Sequence, residues 1–147
     1  MMTEKELDAL VFENYHSRES RLIAVFTTTT APKLSVTESQ SGVCTLFSAR
    51  PSHNHYEADL AQFLPEFVEL KKGEFFVLGR LPECDHRIGL EDVKKYFKNH
   101  GDSEENAEYY YMRNAVTVSR IHCFVKNNQD GTFSLYDIST AGTCIIL

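Results

Sequence analysis

The sequence predicts a mainly β fold made of short antiparallel strands, with a short helix at the N-terminus and one helical insertion. In the second half of the chain, runs of β-branched and aromatic residues alternate with turn-forming stretches, which is typical of strands joined by tight turns. Thr3 and Glu6 form a capping-box pattern just ahead of apolar residues at helical spacing. Leu90, Val93 and Phe97 share one face of a second helical stretch.

Length and composition favour one folded core and restrict its partners. The chain has 147 residues, of which 42% are hydrophobic, so it can bury a core of single-domain size. Its formal net charge of −6 disfavours direct binding to nucleic acid, which requires a basic face. No apolar run approaches the roughly 20 residues that span a membrane, so we expect no membrane partner. The four cysteines are widely spaced and form no Cys-x-x-Cys pair, which indicates reduced thiols in a nuclear or cytoplasmic protein.

The first third of the chain predicts a helix, a strand and a connector. The apolar and β-branched residues 21–30 are typical of a strand, whereas residues 33–40 are polar and have little to bury. A further strand is expected at residues 43–49. We therefore assign residues 1–40 to an N-terminal region and residues 41–147 to the main β domain.

Two more strands are predicted near the middle of the chain. Residues 56–64 have the pattern of one or two helical turns that end before a proline. Residues 67–70 and 74–78 are strand-like and are separated by the turn residues 71–73, so we expect them to pair with each other as a hairpin.

The last third predicts the helical insertion and the closing strands. The inserted helix covers residues 90–100 and stops at Gly101, and the acidic residues 102–108 are expected to form a mobile loop. Three further strands are expected, at residues 116–118, 123–126 and 132–136. Residues 127–131 carry turn signals and should join the last two as a hairpin.

Three clusters of polar residues fall at the ends of these strands. They are Gly79-Arg80, the Ser-Arg-Ile-His run at 119–122, and the Asp-Ile-Ser-Thr-Ala-Gly-Thr run at 137–143. Loops held on a rigid sheet commonly carry binding groups. The guanidinium of Arg80 has a planar fork of donors that suits two phosphate oxygens, and the hydroxyl of Ser119 can donate one more hydrogen bond. Charge-assisted hydrogen bonds contribute about 1.5 to 3 kcal/mol each, enough to distinguish a phosphorylated side chain.

The ordered motifs Gly-Arg, Ser-Arg-x-His and Asp-x-Ser-x-x-Gly-Thr resemble those of the forkhead-associated domain, from about residue 43 to residue 143. The resemblance implies an antiparallel β-sandwich that binds phosphothreonine peptides. It implies that Arg80 and Ser119 bind the phosphate, that Arg120 lies beside the peptide, and that Thr140 belongs to the facing loop.

The same resemblance assigns structural roles to three more residues. It implies that His122 braces the binding loops, and that Gly79 and Gly142 support the site. The Cys84-Asp85 pair is similar to modules attached to checkpoint-type protein kinases, so the resemblance implies a regulatory part of a kinase as one setting for this chain.

The chain departs from the forkhead-associated pattern at two places. Ala141 stands where the family has an asparagine that bonds the peptide backbone, so we expect weakened binding. The family sandwich also continues for several strands beyond the Gly-Thr turn, so we expect a sandwich that is incomplete at its C-terminus. The strand at residues 22–28 would then cover the open sheet edge, unless the chain is a fragment, self-associates or pairs with a partner there.

The expected function is non-catalytic recognition of a phosphothreonine-containing protein in signalling. The alternative is a degenerate or truncated scaffold that no longer binds phosphopeptide. Ser119, His122 and Asp137 lack the spacing of a nucleophile elbow, so no catalytic residue is predicted. The pair His53 and His55 has no further ligand at suitable spacing, so neither a metal nor another cofactor is predicted.

Overall fold

The computed structural model describes residues 1–27, 41–45, 67–71, 73–115, 118–128, 130–140 and 142–143. The strands of these ranges are β1 (Met2–Thr3), β2 (Arg21–Thr27), β3 (Ser41–Thr45), β4 (Phe67–Lys71), β5 (Glu74–Gly79), β6 (His86–Arg87), β7 (Cys123–Asn127) and β8 (Thr132–Asp137). The helices are α1 (Glu4–Tyr15), α2 (Leu90–Asn99) and α3 (Glu104–Tyr110), the last continued by a π-helical turn (Tyr111–Ala115). The predictions for residues 28–40, 46–49, 53–64, 116–117 and 144–147 lie outside the described part of the chain.

The main sheet is antiparallel along its length and confirms the predicted antiparallel pairing of the final strands. Its strand order is β1-β5-β7-β8-β2, with the short β6 paired in parallel with β5. β7 and β8 form the predicted hairpin, in which Val125 lies opposite Leu135. With its three helices, the described chain is a mixed helix and strand fold built on this antiparallel sheet.

The predicted hairpin of residues 67–70 with residues 74–78 is wrong in its pairing, although both strands exist. β4 pairs with β3 in a separate two-stranded sheet, whereas β5 pairs with β1 and β7. Gly73 has a φ of 77°, a conformation that lets the short connection turn the chain from one sheet to the other. Leu70 is fully buried in one apolar cluster with Phe76 and Phe133, so β4 packs over the main sheet and does not extend it.

The N-terminal helix covers one face of the main sheet. The predicted capping box is present, since the Thr3 hydroxyl oxygen accepts a hydrogen bond from the Glu6 N–H at 3.2 Å and the Glu6 carboxylate accepts one from the Thr3 N–H at 3.3 Å. Leu7 and Leu10 are buried against the sheet, in one cluster with Phe75 and neighbouring residues. Burial of such side chains contributes about 1.5 to 3 kcal/mol each, so α1 is part of the core.

The helical insertion is longer than the sequence predicts. α2 matches the predicted helix of residues 90–100, and Gly101 has a φ of 74°, as expected for the residue that ends it. The prediction of a mobile loop over residues 102–108 is wrong, because α3 covers most of that stretch.

Helix α3 is acidic but is stabilised by a side-chain cap and by contacts with α2 that its composition alone does not reveal. The hydroxyl of Ser103 accepts a hydrogen bond from the backbone N–H three residues later, which caps the helix. The Lys94 ammonium lies 3.0 Å from a carboxylate oxygen of Glu104 and 3.3 Å from one of Glu108. Ala107 is fully buried in one apolar cluster with Val93 of α2, so a small side chain makes this contact between the two helices.

Strand β2 covers the edge of β8, as the sequence predicts for an N-terminal strand that protects the sheet. The two strands pair antiparallel, with Val25 opposite Ser134 and Phe26 opposite Phe133. The rings of Phe26 and Phe133 are stacked with centroids 5.8 Å apart.

In the part of the chain that the structure describes, no helix has the length and apolar character needed to span a membrane.

Candidate functional site

The first two polar motifs meet through their main chains at one end of the sheet. The Arg80 N–H, directly after β5, donates to the carbonyl oxygens of Ser119 and Arg120, each at 3.0 Å. The His122 N–H donates to the carbonyl oxygen of Leu78 at 2.8 Å, which continues the β5–β7 pairing into the loop. The side chains of Arg80 and Ser119 therefore start from neighbouring points on adjacent strand ends.

A glycine is required at position 79 because the backbone of Arg120 approaches it closely. A Cβ at Gly79 would overlap the Arg120 carbonyl oxygen and would lie 3.0 Å from the Cys84 sulfur. The Cys84 thiol occupies the remaining space, with its sulfur 3.4 Å from the same oxygen. Burial raises the pKa of Cys84 to about 11, so the thiol stays protonated and can donate to this carbonyl.

The second and third motifs are joined by the hydroxyl of Ser119. Its oxygen accepts a hydrogen bond from the Thr140 N–H at 3.1 Å. A hydroxyl that accepts in this way keeps its own proton for donation, and no described residue takes that proton. Ser119 is thus held in place with one donor unused.

The imidazole of His122 forms hydrogen bonds with the second and the third motif loops. Its Nδ1 lies 3.1 Å from the Ser119 N–H, which can only donate, so Nδ1 accepts and the ring proton is on Nε2. Nε2 then donates to the carbonyl oxygen of Gly142 at 3.0 Å. Burial lowers the pKa of His122, against smaller opposing effects of the Gly142 carbonyl and Asp137, so the imidazole is neutral. Both ring nitrogens of His122 are engaged by backbone groups, so neither bonds the hydroxyl of Ser119.

The buried carboxylate of Asp137 accepts hydrogen bonds from hydroxyl groups of the third motif loop. One carboxylate oxygen accepts from the Ser139 hydroxyl at 2.6 Å and from the Thr143 hydroxyl at 2.8 Å, and the other lies 3.3 Å from the Arg21 guanidinium. The Ser139 oxygen in turn accepts from the Gly142 N–H at 2.8 Å. Burial alone would raise the pKa of Asp137, but the hydrogen bonds from Ser139 and Thr143 outweigh burial and lower it. The side chain is therefore ionised, and the loop hydroxyl groups donate to its negative charge.

We expect the stability of the protein to decrease as the pH falls below about 6.5 because of His122. Its folded-state pKa is lowered by burial, so the unfolded chain, with a histidine pKa of about 6.5, binds the proton more readily. The stabilisation is therefore complete above about pH 6.5 and is lost as the pH falls through the folded pKa. The slope contributed by one such group is at most about 1.4 kcal/mol per pH unit.

The measurement is the free energy of unfolding by denaturant at several pH values in this range. His122→Gln should flatten the slope, whereas Asn99→Gln, an exposed substitution that removes no titratable group, should leave it unchanged. Equal slopes for wild type and His122→Gln would contradict the neutral, buried imidazole.

All the predicted site residues lie at this end of the sheet. Arg80, Arg120 and Thr140 are exposed and Ser119 is half-buried, and the supporting residues Gly79, His122 and Gly142 make the contacts described above. Residue 141 lies outside the described residues. Among the residues with described positions, no group of three or more His, Cys, Asp or Glu side chains could hold a metal ion.

The sequence does not predict the part that α1 plays here. The Tyr15 hydroxyl donates to the Ile121 carbonyl oxygen and accepts from the Ile121 N–H, both at 2.9 Å. This bond pair links residues 106 positions apart, so no local pattern could reveal it. Tyr15 therefore anchors the Ser-Arg-Ile-His loop to the N-terminal helix.

Comparisons of the chain with protein-family models, curated proteins and solved structures find no match.

Proposed function

We propose that this chain is a phosphothreonine-peptide-binding module of the forkhead-associated type, which mediates phosphorylation-dependent protein–protein interaction in nuclear or cytoplasmic signalling. The observation that carries the proposal is the junction of three loops: the Arg80 N–H bonds the Ser119 carbonyl, and the Ser119 hydroxyl accepts from the Thr140 N–H. The chain segments that carry a cation, a hydroxyl donor and a facing loop are thereby adjacent, which supports a dianion site at this end of the sheet.

The charges at this strand end support binding of a phosphate dianion. The guanidinium of Arg80 is exposed and has no carboxylate within ion-pair distance among the described residues. It can therefore offer its donor fork to two phosphate oxygens, while the unused proton of Ser119 serves a third. The neutral His122 adds no charge and acts by holding the loops.

The packing of the two sheets supports the proposed sandwich. Leu70 of the small sheet shares an apolar cluster with Phe76, Val125 and Phe133 of the main sheet. Two sheets that bury a common apolar layer are the basic unit of a β-sandwich. We therefore place the phosphate site on the loops at one end of such a sandwich.

The alternative is a scaffold of the same fold that no longer binds phosphopeptide. Ala141 favours it, because alanine cannot supply the peptide-backbone bond of the family asparagine. Loss of one such bond costs about 0.5 to 1.5 kcal/mol, so the proposed reader would bind more weakly but still measurably.

The test is a titration with a phosphothreonine peptide library and with the same library unphosphorylated. We expect wild type to prefer the phosphorylated peptides, and Arg80→Ala to weaken that binding about tenfold or more, since charged hydrogen bonds contribute at least about 1.5 kcal/mol. Arg113→Ala, which removes an exposed arginine from the helical insertion, is the matched control and should bind like wild type. Equal affinity for both libraries would reject the reader and favour the scaffold.

A further inference from the structure

Two arginines from distant parts of the chain lie against one tyrosine ring beside the candidate phosphate site. The guanidinium carbon of Arg18 is 4.0 Å from the ring centroid of Tyr15, and that of Arg120 is 4.9 Å from it. The ring itself is fixed, because its hydroxyl is bonded to both backbone groups of Ile121. Both guanidinium carbons therefore lie within 5 Å of the centre of one fixed ring.

The charge of this pair is not neutralised by any described carboxylate. Arg18 and Arg120 are both exposed, and neither forms an ion pair in the described ranges. The one hydrogen bond that Arg18 makes to the main chain is to the Ile138 carbonyl oxygen, at 3.4 Å. Two like charges held against one ring repel each other, and a bound anion would remove that repulsion. Such a local excess of positive charge is notable in a chain of net charge −6.

We propose that Arg18 and Arg120 form a second anion subsite, which binds an acidic group on a residue that flanks the phosphothreonine of the bound peptide. The inference rests on the proposed function and extends it to the class of peptide that is preferred. The acidic group is a carboxylate or a second phosphate, since both offer oxygens to a guanidinium fork.

The position of the subsite follows from the backbone contacts at Arg120. Its carbonyl oxygen accepts from the Arg80 N–H, so the two arginines lie on directly adjacent chain segments. An extended peptide advances about 3.3 to 3.6 Å per residue, so a residue within a few positions of the phosphothreonine can reach the Tyr15 ring.

The acidic residues of α1 limit where the anion can bind. Arg18 also lines a surface groove of about 270 Å³ between α1 and the sheet, where the cations of Arg18 and Lys126 are offset by the carboxylates of Glu4 and Asp8. Their charges oppose an anion on that side. The favoured position is therefore outside this groove, beside the Tyr15 ring that both arginines contact.

The experiment compares phosphothreonine peptides that carry asparagine, aspartate or phosphoserine at one flanking position at a time. We expect aspartate or phosphoserine at one position to tighten binding to wild type about fivefold relative to asparagine, the upper range for exposed ion pairs. Arg18→Gln should abolish this preference and leave the affinity for the asparagine peptide unchanged. Arg113→Gln is the matched control, since Arg113 also lies over a tyrosine ring, that of Tyr109, at 5.3 Å.

The outcomes separate the subsite from the proposed function. A phosphoserine preference without an aspartate preference, lost in Arg18→Gln, would identify a second phosphate as the ligand. An equal acidic preference in wild type and Arg18→Gln, with binding still dependent on Arg80, would overturn the subsite alone. Absence of any Arg80-dependent binding would overturn the proposed function and the subsite together. Arg18→Lys, which keeps the charge without the planar fork, should retain part of the preference if the protein remains folded.

Discussion

Deletion of residues 1–30 is expected to abolish cooperative folding of the domain. The deletion removes β1, α1 and β2, so it uncovers one face of the main sheet and leaves the β8 edge unpaired. Leu7 and Leu10 alone bury side chains that contribute about 1.5 to 3 kcal/mol each, and the net stability of a domain is about 5 to 15 kcal/mol. Thermal unfolding followed by circular dichroism and calorimetry should therefore show no sharp transition for residues 31–147.

A pair of point substitutions in α1 serves as the control for this truncation. Leu7→Ala, at a side chain that is 3% exposed, should lower the free energy of unfolding by about 2 to 5 kcal/mol. Phe12→Ala, at a side chain that is 66% exposed on the same helix, should have little effect. A truncated chain that melts cooperatively near the wild-type temperature would contradict the role of the N-terminal elements in the core.

Substitution of Gly79 by alanine is expected to destabilise the protein by about 3 kcal/mol or more. The added methyl group would overlap the Arg120 carbonyl oxygen, which is itself fixed by the Arg80 N–H and the Cys84 thiol. Neither backbone segment can move without breaking the junction of the first two loops. The measurement is the free energy of unfolding by denaturant, together with phosphopeptide affinity.

Gly101→Ala is the matched control for steric overlap. Gly101 has a φ of 74° but nothing within 4 Å of an added Cβ, so its substitution should cost only about 1 to 2 kcal/mol, for conformational reasons. Gly79 does not have a positive φ, so a loss at that position would be steric. If Gly79→Ala and Gly101→Ala lowered the free energy of unfolding by similar amounts, the close contact between the two strand ends would be contradicted.

The sequence predicts those elements whose signals are local. The capping box at Thr3, the spacing of Leu90, Val93 and Phe97, and the pairing of β7 with β8 each depend on a few neighbouring residues, and each is present. The sequence likewise predicts strand-end loops at Arg80 and Ser119, because turn residues follow apolar runs there.

The features that the sequence does not predict depend on contacts between distant segments. β4 and β5 both have the pattern of strands, but only packing of Leu70 on the main sheet decides that they belong to different sheets. Residues 102–108 lack large apolar side chains, so their composition is typical of a loop, and the contacts of Lys94 and of the buried Ala107 stabilise a helix there instead. Tyr15 has no local pattern that ties it to the site, since its partner Ile121 is far away in the chain.

The most direct test of the proposed phosphate site is the amide NMR spectrum of the protein during the phosphothreonine-peptide titration described above. We predict that the backbone amide signals of Arg80, Ser119 and Thr140 shift together with the phosphorylated peptide, with one common dissociation constant, and stay in place with the unphosphorylated peptide. Shifts confined to another surface, or equal shifts with both peptides, would contradict a single dianion site formed by the three loops.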